Sequence, residues 1–189
     1  MTRLIEVDPH RLDRWIDGFA ARHDGVTRSV EPGRLLLTGG DGATAVGETF
    51  DHHRIGLILI RRGGYAVGMD EGGDLTSHKC GTRYVQSRTK AGGWSQQRYS
   101  RRRGNQADGV VSTVADLALQ HLPAHAVDAL VLGGDRRLAE QVLTDPRLGH
   151  LVTLARRTLW DLPDPRFAVL AEAARRARAV RITLEDSTV

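Results

Sequence analysis

Residue types that can position a water molecule are concentrated in one stretch, TKAGGWSQQRYSRRRGNQ, residues 89–106. The pair Gly92-Gly93 permits backbone conformations that other residues avoid, and it lets the main chain approach a ligand closely. The adjacent Gln96 and Gln97 cannot act as general bases, because a glutamine amide does not titrate. A glutamine can orient water, and a backbone N–H can stabilise a developing oxyanion. The stretch therefore predicts a water-positioning loop, with a disordered basic linker as the alternative.

Positive charge surrounds this loop. From Leu75 to Ala107 there is no acidic residue and there are eight basic ones, Lys79, Arg83, Arg88, Lys90, Arg98, Arg101, Arg102 and Arg103. The whole chain carries a net charge of +4, so the remainder sums to −4. One basic surface on a slightly acidic body favours a polyanionic partner. The interleaved Tyr84, Trp94 and Tyr99 offer faces for base stacking, which favours nucleic acid over a merely solvated loop.

Length and composition limit the class of protein. The chain has 189 residues, of which 40% are hydrophobic, and this predicts one core-forming domain or a domain with a short N-terminal appendage. No apolar run approaches the ~20 residues that span a bilayer, and the N-terminus lacks the features of a signal peptide. The single cysteine, Cys80, fits a reducing compartment. We expect a soluble, cytoplasmic protein.

The segments before the loop predict a short helix followed by a β-meander. Asp8 and Pro9 can begin an amphipathic helix, and Val26–Val30 and Arg34–Thr38 have the character of short strands. RIGLILIRRGGYAVGM, residues 54–69, predicts a hairpin that turns at Gly63-Gly64. The next strand, residues 75–89, leads directly into the loop.

The segments after the loop predict alternating helices and strands. Apolar residues at helical spacing between Ala107 and Leu122 predict a helix that Pro123 ends. VDALVLG, residues 127–133, is typical of a buried parallel strand, and Asp135 can cap the helix that follows. A further helix around residues 167–174 and a strand at residues 179–186 complete the order. We therefore predict an α/β fold, with a mixed β-sheet and packed helices.

This order of elements and the loop resemble a known family. A β-meander, a basic Gly-Gly…Gln loop, a long helix and DALVLGG are similar to the catalytic middle domain of archaeal and eukaryotic class-1 peptide release factors, an RNase H-like domain. RTKAGGWSQQRYSRRRGNQ more closely resembles the actinobacterial branch of the Vms-type release-factor-like peptidyl-tRNA hydrolases, which act in ribosome rescue. The resemblance extends from about Arg34 to the C-terminus.

The resemblance implies that the loop enters the peptidyl-transferase centre, where a glutamine helps water to hydrolyse the ester of peptidyl-tRNA. Gly93-Trp94-Ser95-Gln96 fits the family pattern of a glycine, two residues and a glutamine, so Gln96 is the implied catalytic residue and Gln97 the alternative. Release factors place the glutamine directly after the two glycines, and here Trp94 and Ser95 intervene. Gly92 and Gly93 would shape the loop. The implied RNA-binding residues are Lys90, Trp94, Arg98, Arg101, Arg102 and Arg103.

Four other motifs have simpler structural interpretations. Asp51, His52 and His53 lack partner ligands for a metal, so we interpret them as an exposed start of a strand. GGDRR, residues 133–137, is a tight turn rather than a phosphate site. Cys80 has no catalytic partners in the sequence and is structural or incidental. The cluster Arg175, Arg176, Arg178 and Arg181 is interpreted as a solvated face, with RNA contact as the alternative.

These expectations combine into one functional hypothesis and one alternative. The hypothesis is a stop-codon-independent peptidyl-tRNA hydrolase, with an N-terminal helical appendage at residues 1–30 packed on the body and a release-factor-like catalytic domain at residues 31–189. Its partners would be large-subunit rRNA and peptidyl-tRNA, with a ribosome-splitting factor as a further candidate. We expect a monomer without a cofactor or a metal. The alternative is a non-catalytic module that binds RNA or the ribosome.

Overall fold

The structure is a computed structural model that describes residues 2–82 and 109–185. The chain divides into two compact units, one of Met1–Asp51 with Arg175–Val189 and one of His52–Ala174. The strands in chain order are β1 (Thr2–Val7), β2 (Val26–Glu31), β3 (Arg34–Gly39), β4 (Thr44–Glu48), β5 (Arg54–Arg61), β6 (Gly64–Glu71), β7 (Asp74–Thr82), β8 (Ala129–Gly134), β9 (Ala155–Leu159) and β10 (Val180–Glu185). The helices are α1 (Leu12–Arg22), α2 (109–121 of the described residues), α3 (Arg136–Val142), α4 (Gly149–Val152) and α5 (Phe167–Arg178).

The first unit is built on an antiparallel sheet in the order β1-β10-β4-β3-β2. β2 and β3, the two predicted short strands, form a hairpin in which Gly33 adopts a φ of 75° that favours glycine. β3 is buried on one face only, because Leu35 and Leu37 enter the core and Leu36 points away from it. The predicted N-terminal appendage, residues 1–30, contributes β1, α1 and most of β2 to this unit.

Helix α1 covers the buried face of that sheet. Asp8 caps a preceding 3-10 turn by accepting a hydrogen bond from the backbone N–H of His10 at 3.0 Å. Ile16 and Phe19 then recur at helical spacing and pack with Leu35 and Leu37. Burial of Phe19, which is 1% exposed, contributes about 2 kcal/mol.

The second unit is built on a mixed sheet in the order β7-β6-β5-β8-β9. β5, β6 and β7 form the predicted meander, β8 pairs with β5 in parallel, and β9 pairs with β8 in parallel. β5 and β8 are continuous apolar runs because both of their faces are covered. The turn between β6 and β7 uses Gly72 and Gly73 at φ values of 63° and 112°.

Helices pack on both faces of the mixed sheet. Val110, Val114 and Ala118 of α2 lie in a core with Ile58 and Val67. On the other face, Leu170 of α5 lies so close to Gly68 that a Cβ there would approach its side chain to 3.0 Å. β5 and β6 therefore carry a buried layer on each side, whereas β7 is exposed or partly exposed along its length.

The α/β fold class and the predicted mixed sheet with packed helices are confirmed. The hairpin at β5 and β6, the helix α2, the buried strand β8 and the final strand β10 lie where the sequence predicts them. The structure adds β1, β4 and β9 and places β10 in the antiparallel sheet of the first unit. The RNase H-like detail stays a prediction.

Candidate functional site

The predicted catalytic and RNA-binding residues belong to the segment that joins β7 to α2. Gly92, Gly93, Gln96 and Gln97 fall within residues 83–108, outside the described residues. The same holds for the predicted RNA-binding side chains Lys90, Trp94, Arg98, Arg101, Arg102 and Arg103. We call this segment, residues 83–108, the basic segment. The structure describes the residues that flank it, Thr82 and Gly109, and the side chains around them.

The basic segment starts at the carboxyl edge of the mixed sheet. β7 is antiparallel to β6, which is antiparallel to β5, and β5 is parallel to β8. β7 and β8 therefore run in the same direction, and α2 returns the chain from the end of β7 toward the start of β8. Ligands of open α/β sheets bind in the crevice outside the carboxyl ends of the strands. The topology thus places the origin of the basic segment at an edge suited to ligand binding.

Strand register identifies the neighbours of this origin. Thr82, the last described residue before the basic segment, lies opposite Gly64, which pairs in turn with Arg61. Ile60 pairs with Gly134 at the end of β8. The hairpin turn between β5 and β6 and the turn after β8 therefore occupy the same edge as Thr82.

Three basic side chains extend the positive charge of the basic segment onto this edge. Lys79 lies on β7, Arg62 lies in the hairpin turn, and Arg137 follows β8; all three are exposed. None of them makes a hydrogen bond or ion pair with another residue in ranges 2–82 and 109–185. Arg61 differs, since its Nη1 donates to the carbonyl oxygen of Leu162 at 2.5 Å. The unpaired cations can accept phosphates, the groups that fix a protein's position on a nucleic acid.

The turn after β8 is the tight turn that the sequence predicts. Gly134 has a φ of 89°, and the Asp135 N–H donates to the carbonyl oxygen of Ile60 at 2.7 Å. The Asp135 carboxylate caps α3 by accepting from the backbone N–H of Leu138 at 3.2 Å. Sequence analysis interpreted this turn correctly but missed that it brings Arg137 to the origin of the basic segment.

A side-chain contact joins the strand that enters the basic segment to the helix that leaves it. The Ser77 hydroxyl oxygen on β7 lies 2.5 Å from Nδ1 of His121 on α2. Burial lowers the pKa of His121, and the neighbouring charges of His78 and Lys79 lower it further. The imidazole is therefore neutral near pH 7 and fits a neutral hydrogen bond with the hydroxyl.

Two more contacts hold α2 along its length. Arg147 donates through Nη2 to Asp116 of α2 at 2.9 Å and to Asp145 at 2.7 Å. Nε2 of His150 donates to the carbonyl oxygen of Leu122 at 3.0 Å, which satisfies a backbone group just after the helix. α2 is thus connected to β7 through His121, to the turn before α4 through Asp116, and to α4 through the carbonyl group of Leu122.

Close packing constrains the last residues of β7. Gly81 lies opposite Tyr65 of β6, and the tyrosine ring covers the glycine. A Cβ at position 81 would come within 2.4 Å of the Tyr65 hydroxyl oxygen. Only glycine fits here without displacing the ring, so this pair defines the path of the chain just before the basic segment.

The competing metal motif precedes β5, at the end of that strand opposite this edge, and the Cys80 thiol on β7 is not activated. Asp51, His52 and His53 precede β5 as an exposed or partly exposed start of the strand, as predicted. Within ranges 2–82 and 109–185, no group of three or more histidine, cysteine or acidic side chains is arranged to hold a metal. Cys80 is partly buried, and burial raises the pKa of its thiol. A raised pKa disfavours the reactive thiolate.

The C-terminal arginines form ion pairs within the first unit. Arg176 Nε donates to Glu6 at 2.7 Å, and Arg181 Nε donates to the same carboxylate at 3.4 Å. Burial alone raises the pKa of Glu6, but these two arginines outweigh it and hold the pKa below its ordinary value. The prediction of a solvated face is therefore wrong for Arg176 and Arg181, whose side chains are 19% and 21% exposed.

Comparison with known proteins adds an identity to this geometry. No curated protein matches the chain. No helix of the described residues is both long and apolar enough to cross a membrane. The family model described as Actinobacteria/chloroflexi VLRF1 release factor matches residues 53–183, more than half of the chain. The match contains the whole meander, the basic segment and α2 through α5. The chain belongs to the Actinobacteria/chloroflexi VLRF1 release factor family.

Proposed function

We propose that this protein is a peptidyl-tRNA hydrolase that acts in ribosome rescue. The observation that supports the proposal most directly is the place where β7 ends, since the basic segment follows it in the chain. β7 ends at the carboxyl edge of parallel strands. The basic segment carries Gly-Gly and two glutamines and lies within the range matched to a release factor family. Membership of a release factor family implies action at the ribosome. The proposed substrate of this protein is the ester that joins a nascent peptide to tRNA.

The proposed reaction is hydrolysis with water as the nucleophile. Gln96 orients the water through its side-chain carbonyl and amide while the water oxygen attacks the ester carbonyl carbon. The carbon–oxygen bond to the terminal ribose breaks, the peptide leaves as a carboxylic acid, and the ribose oxygen gains a proton. Backbone N–H groups near Gly92 and Gly93 stabilise the developing oxyanion. Gln97 is the alternative for the water-positioning role.

Arginines of the basic segment hold RNA in this proposal. Arg98, Arg101, Arg102 and Arg103 bind rRNA or tRNA phosphates, Lys90 adds a further charge, and Trp94 stacks on a base or anchors the segment. The catalytic domain is proposed to be residues 31–189, working as a monomer in the cytoplasm. Substrate selection would not depend on a stop codon, and a ribosome-splitting factor is a candidate partner.

Peptide release from purified large subunits that carry peptidyl-tRNA tests this function. Wild type is expected to release peptide, and Gln96→Ala is expected to reduce the release rate by about 100-fold, a typical loss for one group that positions or stabilises the transition state. Gln97→Ala is the matched control and should retain most activity. Equal activity of wild type and both variants contradicts the role of the glutamines.

The same subunits separate the hydrolase from the alternative, a module that only binds RNA. The binding module predicts ribosome association without peptide release, with or without an added splitting factor. Charge reversal of Arg101, Arg102 and Arg103 to Glu should weaken ribosome binding and flatten its dependence on salt. Unchanged binding contradicts the proposed grip of these arginines on RNA.

A further inference from the structure

The first unit contains a basic groove that the hydrolase proposal does not use. An open groove of about 650 Å³ runs along α1, with Glu6 and Asp8 at one side and Arg175 nearby. Most of its lining residues precede residue 53, where the match to the release factor family begins. The groove is therefore a feature of this chain outside the range that carries the family resemblance.

Helical spacing places a basic stripe on one face of α1 and the turn before it. Arg11, Arg14, Trp15, Gly18 and Arg22 follow each other at intervals that return to the same side of a helix, and all five line the groove. The acidic residues of the helix, Asp13 and Asp17, lie on a different side and do not line it. The helix thus separates its charges, with a third face buried against the sheet.

The acids in the groove are already occupied, whereas three of its arginines are not. Glu6 binds Arg176 and Arg181, as described above. Asp8 Oδ1 accepts from the His10 N–H at 3.0 Å, and its Oδ2 lies 3.8 Å from Arg175 Nη1. Three guanidinium groups of the groove make no hydrogen bond or ion pair with any other described residue; these belong to Arg11, Arg14 and Arg22. The groove therefore offers uncompensated positive charge.

The spacing of those cations fits an elongated ligand. Arg11 and Arg14 lie near one end of α1, and Arg22 lies about 12 Å farther along the axis than Arg14. Charges so far apart suit a chain of anionic groups better than a single anion. Trp15 lies between them and is half-buried. Its ring stacks on that of Phe19, with the two ring centroids 5.8 Å apart, and it also lines the groove.

Gly18 also lines the groove, where the absence of a side chain leaves space. Glycine in the middle of a helix costs about 1 kcal/mol relative to alanine, so its presence needs a reason. A Cβ at this position would approach Nη1 of Arg22 to 3.3 Å. Glycine leaves room for Arg22 and for a ligand that comes close to the helix.

We propose that this groove binds single-stranded RNA, with Arg11, Arg14 and Arg22 on phosphates and a base stacked on Trp15. Arginines and an exposed aromatic surface are the components with which proteins bind single strands without reading sequence. An acidic peptide would use the arginines but would have no planar group for Trp15. The groove would give the protein a second contact with RNA, separate from the basic segment.

Binding of a short fluorescent oligouridylate to the full chain tests the proposal. All proteins carry Arg101→Gln, Arg102→Gln and Arg103→Gln, so that the basic segment contributes little. In that background Arg11→Gln/Arg14→Gln should lower affinity about tenfold and reduce the slope of log K against log salt by about 1.4, or about 0.7 for each phosphate that is no longer neutralised. The control Arg3→Gln/Arg34→Gln removes the same charge from exposed positions of the first unit and should change affinity less than twofold, roughly the screened long-range term. Equal reductions of affinity in both pairs overturn the proposal.

A second variant tests the stack. Trp15→Leu keeps an apolar side chain against the core and should weaken oligouridylate binding about tenfold, as expected when one base is no longer stacked. Circular dichroism checks that the variant is folded, and unchanged affinity in a folded variant overturns the stacking role. A polyglutamate peptide of equal length and charge should bind at least about tenfold more weakly than RNA, because it lacks the stacked base. Equal or tighter binding of the peptide shows that the stacked base adds nothing and overturns the RNA assignment.

The outcome is independent of the hydrolase proposal. If the chain binds oligouridylate through the groove but releases no peptide, the proposed function alone is contradicted. If peptide release depends on Gln96 but RNA affinity is unchanged by substitution of Arg11 and Arg14, the groove proposal alone is contradicted.

Discussion

Ser77 and His121 connect β7, which precedes the basic segment, to α2, which follows it, since the serine hydroxyl oxygen lies 2.5 Å from the imidazole Nδ1. Ser77 precedes Thr82 by about 17 Å of extended strand, and His121 follows residue 109 by about 18 Å of helix. Strand and helix thus cover nearly equal distances from this contact to the carboxyl edge. The contact therefore holds β7 and α2 together below the residues, Thr82 and Gly109, that flank the basic segment.

Removing the Ser77 hydroxyl should loosen this connection. Ser77→Ala is expected to lower the free energy of unfolding by about 1 kcal/mol, the net value of one hydrogen bond. It should also reduce kcat for peptide release about tenfold, with KM for the ribosome little changed, because the loop is positioned less well. Urea denaturation and release kinetics measure both effects. Thr76→Ala, which removes the adjacent hydroxyl that donates to Glu71, is the control; an equal kcat in the two variants contradicts the positioning role.

His121 should make stability depend on pH. Burial, with the charges of His78 and Lys79, lowers the pKa of His121 in the folded state below its ordinary value of 6.5. The unfolded chain therefore binds a proton more readily, so stability is fully present above pH 6.5 and decreases as the pH falls through the folded pKa. Thermal denaturation between about pH 5 and pH 8 should show this decrease in wild type and a smaller one in His121→Gln. His125→Gln, at an exposed position, should match wild type; if it flattens the profile equally, His121 is not the cause.

The Gly81–Tyr65 pair should resist any added side chain. Gly81→Val forces the Tyr65 ring to move, and overpacking of this kind costs about 1–3 kcal/mol. Tyr65→Leu in the same chain removes the clashing ring atoms, so the double variant should be more stable than the sum of the two single changes predicts. Urea denaturation of the four proteins measures the coupling. Strict additivity contradicts the proposed contact.

Arg62 and Arg137 should contribute to ribosome binding from the carboxyl edge. Arg62→Gln/Arg137→Gln is expected to weaken binding and to reduce the salt slope by about 0.7 to 0.9 for each phosphate that these arginines neutralise. The pair Arg3→Gln/Arg34→Gln removes the same charge from exposed positions of the first unit. Titration of large subunits at several salt concentrations compares the two pairs. Indistinguishable slopes show that the edge does not face RNA.

Local patterns in the sequence were sufficient to predict most elements of the second unit. Val110, Val114 and Ala118 recur at helical spacing, which predicts α2 wherever it packs. The β5–β6 hairpin and the buried strand β8 have equally local signals in their turns and apolar runs. The composition of the basic segment likewise predicts a contact with RNA, since that inference depends on charge and residue type alone.

The elements that sequence analysis missed depend on distant partners. β1 pairs Thr2 with Glu185, at opposite ends of the chain, and β4 and β9 are only five residues each. A short strand has little intrinsic preference, and its cross-strand contacts decide whether it forms. The ion pairs of Glu6 with Arg176 and Arg181 follow from the same long-range pairing, which is why a solvated face was the wrong expectation for these arginines.

By itself, the sequence determined the residue chemistry of the basic segment, the periodic helices and strands, and the release factor resemblance that the family match confirms. The tertiary structure decided which edge the segment leaves from, that Arg62 and Arg137 lie beside its origin, and that Ser77 meets His121. It also placed Trp15 and three uncompensated arginines in one groove. The physical reason is that spacing along a helix or strand is encoded locally, whereas strand order and register depend on contacts between residues far apart in the chain.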